Sequence, residues 1–126
     1  MLDTAAFTLP KEERVSSKRM IDELFTGGNS RSLVAFPIRL VYKEVEKDDP
    51  QAQILVSVSK RYFKRAVKRN RVKRQIREAY RKNKHLLPQQ EGKCIVMAFI
   101  WLDDHLRSSE TVERKVVKLL QGFSER

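Results

Sequence analysis

Apolar residues recur along this chain with two different periods, and each change of period marks an element. Residues 1–15 show no sustained period and read as an irregular N-terminal segment. Ser16 and Ser17 suit the cap of a short helix with Met20, Ile21, Leu24 and Phe25 on one face, and Gly27 and Gly28 end it. From Leu33 to Lys43 the period drops to two. Val34, Phe36, Ile38, Leu40 and Tyr42 face one way, with Arg39 and Lys43 on the other, as in a strand with one buried face. Pro37 lies inside this run and predicts an edge strand, a bulge, or a split into two strands. An acidic turn around Asp48, Asp49 and Pro50 leads to a second run, Gln53 to Ser59, in which Ile54, Val56 and Val58 alternate with Gln53, Leu55 and Ser57.

The period then becomes helical. Val72, Ile76, Ala79 and Tyr80 form an apolar stripe. Steps of about 100° per residue place Asn70, Lys73, Arg74, Arg77, Arg81 and Lys84 opposite it, with Arg71 at the border. Arg69 projects towards the flank of the stripe, in the first turn, from where it can reach along the sheet. A helix of about 20 residues is roughly 30 Å long, and Leu86, Leu87 and Pro88 close it. Lys93 to Leu102 is unbroken apolar sequence, which predicts a strand covered on both faces. Asp103, Asp104 and His105 read as a solvated turn. Ser108 and Ser109, with Glu110 and Glu113 behind them, open a last helix whose core face is Val112, Val116, Leu119, Leu120 and Phe123. The order is α-β-β-α-β-α, or αβββαβα if Pro37 divides its strand: an α+β sandwich of helices against a small sheet. The length of 126 residues suits one domain.

Charge changes the picture more than composition does. The segment Lys60–Lys84 holds thirteen Lys or Arg and a single acid, Glu78, and so carries +12 of a total of +11; everything else is close to neutral. A solvated helix face normally mixes Glu with Lys, which relieves repulsion. Cations this crowded point to a polyanion, nucleic acid first. The basic side lacks the Trp or Phe that insertion into a membrane would use, and the longest apolar run is far below the roughly 20 residues of a membrane helix. The lone Cys94 excludes an internal disulfide and a cysteine zinc site, and reads as a small buried hydrophobe. With no secretory apolar core at the start, a cytoplasmic protein is expected. No catalytic constellation is visible: His85 and His105 are isolated, Asp103 and Asp104 are adjacent and cannot face each other as an acid/base pair, and Trp101 reads as core.

Two blocks, Ser57-Val58-Ser59-Lys60-Arg61 and Ala66 to Tyr80 with its run Arg69-Asn70-Arg71-Val72-Lys73-Arg74-Gln75-Ile76-Arg77, resemble the signature of the protein subunits of bacterial ribonuclease P. The resemblance extends to Leu9-Pro10-Lys11, to Leu24-Phe25 before glycine, and to the later strand and helix. It implies the αβββαβα two-layer fold with a left-handed βαβ crossover, against the usual right-handed rule, like a domain of a small-subunit ribosomal protein. It implies a catalytic RNA that uses Mg2+ to cut the 5′ leader from precursor tRNA, with a protein that binds both that RNA and the leader and needs no obligate protein partner. Carried over, the RNA-binding residues are Lys60, Arg69, Asn70, Arg71, Lys73, Arg74, Arg77 and Arg81. The leader cleft would use Phe25, Ile21, Phe36, Ser57 and Ser59. Ile21 stands where the family commonly has an aromatic residue, and Tyr62-Phe63-Lys64 makes the link after Lys60 one residue longer than usual. A structural or ribosome-associated RNA-binding protein with the same basic helix is the alternative.

Overall fold

A computed structural model describes residues 30–46, 52–87 and 93–124. The expected first helix with Ile21 and Phe25, the N-terminal segment, the turn at Asp48–Pro50 and the side chain of Phe123 lie outside the described residues. Four strands, β1 (Arg31–Ala35), β2 (Ile38–Glu46), β3 (Ala52–Ser57) and β4 (Lys93–Trp101), form one sheet in the order β1-β2-β4-β3. β2 pairs antiparallel with both β1 and β4, and β3 runs parallel to β4. Helix α1 (Ala66–Asn83) joins β3 to β4, and helix α2 (Ser109–Ser124) follows β4. The unit β3-α1-β4 is thus the parallel crossover of the expected αβββαβα order.

Alternation assigns each strand residue to one of two faces. Ile38, Leu40 and Tyr42 of β2, Ile54 and Val56 of β3, and Ile95, Met97, Phe99 and Trp101 of β4 point into one core. There they meet Val72, Ile76, Ala79 and Tyr80 of α1 and Val112, Val116, Leu119 and Leu120 of α2. Both helices therefore cover the same face. Tyr80 and Phe99 pack with ring centroids 6.2 Å apart and planes at 59°, within the tilted geometry aromatic pairs favour. The opposite face carries a smaller buried cluster of Val41, Cys94, Val96 and Ala98. Central β4 is accordingly buried on both sides, as its unbroken apolar sequence predicts.

One expectation fails. Val34 and Phe36 do not share the core face of Ile38, Leu40 and Tyr42; they are 61% and 54% exposed. The run is a hairpin, turning at Phe36-Pro37, with Ala35 opposite Ile38 and Leu33 opposite Leu40. The two turn residues shift the parity, so the odd positions of β1 join the even positions of β2 on one face. Ala35 is buried in the core and Leu33 packs against it. β2 also runs three residues past Lys43, because β4 offers partners as far as Lys93, opposite Glu46.

Candidate nucleic-acid interface

Helix α1 is fixed by its apolar stripe, and that fixes what faces out. With Val72 and Ile76 fully buried, Asn70, Arg71, Arg74 and Arg77 are exposed, and Lys73 and Arg81 half-buried. The helix begins without the usual aids. Its N-cap is Arg65, no side chain caps it, and its first turn holds no acid. A helix N-terminus carries a partial positive charge that acids normally answer. Here Lys64, Arg65 and Lys68, all exposed, crowd the same end instead. The stability forgone there leaves open N–H groups and cations together, an arrangement that suits phosphate.

Arg69 has a different position from its neighbours. Its Nη1 donates to the carbonyls of Phe63 and Lys64, both at 2.8 Å. The sequence places it on the flank of the stripe, and there it ties down the loop between β3 and α1. The same loop is turned by Ser59, whose Oγ accepts from the Arg61 N–H at 3.1 Å and whose carbonyl accepts from the Tyr62 and Phe63 N–H groups. Phe63 is buried in the core. Lys60 and Arg61 are exposed at the bend. Arg81 holds Glu78, with Nε 2.9 Å from Oε2. That bond is the main reason the Glu78 carboxyl lies below its usual range, and it raises the Arg81 guanidinium further. The one acid of the segment thus answers Arg81 and leaves the N-terminal cations unopposed within the helix.

The sheet contributes a second surface. Ser57 ends β3, Ile100 and Trp101 end β4, and the Phe36-Pro37 turn joins β1 to β2, all at the same end. On the face away from the helices, register aligns Val34, Arg39, Ile100 and Ser57 in one row across the strands. Val34 and Arg39 are exposed, Ile100 and Ser57 half-buried. Lys60 lies three residues after Ser57, on the loop that leads to α1 at Ala66. Phe36, Ser57, Ser59 and Lys60 are therefore brought to one end of the sheet. Ile21 and Phe25 lie outside the described residues.

In the turn after β4, Asp104 and His105 are solvated as expected, but Asp103 is not. Asp103 is 8% exposed and accepts from Arg107 Nε at 3.0 Å and Nη2 at 2.5 Å. Its burial raises the carboxyl pKa, but the bonds from Arg107 and His105 outweigh that and leave it below its ordinary value. Asp103, Asp104 and His105 do approach one another closely. Yet Arg107 takes the buried carboxylate, and His105 Nδ1 lies 2.6 Å from Asp104, so the group is already paired within the protein and poorly suited to a cation. No helix among the described residues is long and apolar enough to cross a membrane.

Comparison with known proteins gives a consistent set of similarities. The Ribonuclease P family model matches residues 9–123. The ribonuclease P protein component of Porphyromonas gingivalis is 43% identical over 124 residues, covering 95% of this chain and 89% of that protein. The protein of the same name from Chlorobium phaeobacteroides is 29% identical over 130 residues, covering 92% and 88%. The solved RNase P protein from Thermotoga maritima has a similar fold, with a TM-score of 0.72 at 22% identity over 87% of this chain and 96% of that one.

Proposed function

The chain belongs to the ribonuclease P protein family, and from that premise we propose how its surface serves the enzyme. It is the protein subunit of the ribonucleoprotein that processes precursor tRNA, and its partners are the catalytic RNA and the precursor. The outward side of α1, through Asn70, Arg71, Lys73, Arg74 and Arg77, docks on phosphates of the catalytic RNA, with Lys60 and Arg81 extending the contact. Arg69 serves that contact by shaping the loop that presents Lys60 and Arg61. Arg and Lys contacts to phosphate set register and orientation, and release of counterions supplies affinity. The single 126-residue domain carries a second surface at the sheet end. Phe36, Ser57 and Ser59, with Phe25 and Ile21 from the N-terminal region, take the single-stranded leader, whose unstacked bases can lie on aromatic rings.

The observation that carries this reading is the partition of α1: one side committed to the core, the other a dense row of exposed cations. We assign the magnesium ions that cleavage requires to the RNA; among the described residues, the close group of ligating side chains at Asp103 is engaged by Arg107 and His105. The protein's own side chains bind and orient; the RNA performs the hydrolysis, in the cytoplasm. Reconstitution tests this. Precursor tRNA cleavage at limiting magnesium should require the catalytic RNA and be strongly accelerated by this chain. Cleavage by the protein alone, or no effect of the protein on the RNA, contradicts it and would favour a structural RNA-binding role.

A further inference from the structure

Phe36 stands in solvent between two buried neighbours, Ala35 and Pro37, so its exposure is set by the turn and is not a consequence of a loose backbone. One flank of the ring is occupied. The Arg107 guanidinium carbon lies 5.9 Å from the ring centroid, within the range of a cation–π contact. That guanidinium is itself oriented, because its Nε and Nη2 both donate to the buried Oδ2 of Asp103. The backbone around it is tied at two further points. Gln75 Nε2, from the basic helix, donates to the Arg107 carbonyl at 3.0 Å and to Ser109 Oγ at 3.1 Å. The Leu102 N–H donates to the Pro37 carbonyl at 2.8 Å and joins the end of β4 to the turn.

A ring that is 54% exposed and has an oriented guanidinium on one flank can serve as a stacking platform. Asp103 offsets much of the charge of Arg107, so that residue contributes orientation more than attraction for phosphate. A lysine in its place would keep a cation but lose the planar fork that both grips Asp103 and lies against the ring. We propose that Arg107, oriented by Asp103, is a positioning residue that holds Phe36 as the stacking surface for one nucleobase of the single-stranded leader. This rests on the leader reading above and adds to it the device that sets the aromatic ring. Through Gln75, the same device is linked to the helix that docks on the catalytic RNA.

The test uses the holoenzyme, reconstituted from the catalytic RNA and the full chain as wild type, Phe36→Ala, Arg107→Lys and the double variant. Each is titrated with precursor tRNA carrying a leader of several nucleotides and with mature tRNA. Phe36→Ala and Arg107→Lys should each weaken binding of the precursor by about fivefold or more, the scale of one lost base stack. Mature tRNA should bind as before, and the double variant should be no worse than Phe36→Ala, because the two residues act as one unit. Asp103→Asn should reproduce the Arg107→Lys pattern. An Arg107→Lys holoenzyme that keeps its full preference for precursor overturns the proposal, as do losses that multiply in the double variant or fall equally on mature tRNA. If the wild-type protein gives no preference for precursor over mature tRNA, the leader reading fails first; if the preference exists and survives Arg107→Lys, only the Arg107 proposal fails.

Discussion

Arg69 and Arg74 sit five residues apart in one basic run and are put to different uses. Arg69 spends Nη1 on two loop carbonyls, whereas Arg74 is exposed on the outward side of α1. Arg74→Ala should therefore weaken binding to the catalytic RNA while leaving unfolding within about 0.5 kcal/mol of wild type. Arg69→Ala should weaken binding and also lower stability by about 1 kcal/mol, the net value of a typical hydrogen bond. Denaturant unfolding beside RNA titration separates them; equal stability of the two variants would deny Arg69 its loop role. The helical period places Arg69 on the flank, but its acceptors come from a loop whose path no periodicity describes. Asp103 is harder still to read. Two adjacent acids after a strand look solvated, and an Asp and an Arg four apart have a defined meeting geometry only on a helix. Here the pair forms in irregular chain, and Asp103 is buried because of where that chain lands.

At the scale of elements, the unbroken apolar run identified β4, the stripe Val72, Ile76, Ala79 and Tyr80 identified the buried side of α1, and alternation identified the core residues of β2 and β3. It misassigned β1. Val34 and Phe36 keep the period of Ile38 and Leu40 along the sequence, but a hairpin turn of two residues exchanges the faces. Periodicity carries no sign of that exchange; Pro37 marks only where the strand breaks. The difference is measurable. Leu40→Ala should cost about 2–5 kcal/mol, as for other large buried aliphatic residues. Val34→Ala should cost under about 0.5 kcal/mol, as for most exposed positions. Comparable losses at the two sites would restore the single-strand reading.

At the scale of the whole molecule, the charge imbalance was legible at once, since Lys60–Lys84 carries all of the excess. The sheet-end surface was not. It depends on the strand order β1-β2-β4-β3, which brings Phe36, Ser57 and the Asp103–Arg107 loop together from three separate parts of the chain. Such convergence is a property of topology, and only the family resemblance pointed to it beforehand. The central claim is that the outward side of α1 docks on RNA phosphate. The measurement that tests it most directly is the salt dependence of binding between the full chain and the catalytic RNA, for wild type and for Arg74→Ala/Arg77→Ala. With about six phosphate contacts at roughly −0.7 each, the log–log slope should be about −4 to −5, and removing two cations should flatten it by about 1.4. A flat wild-type dependence, or a slope unmoved by the double substitution, would contradict the account.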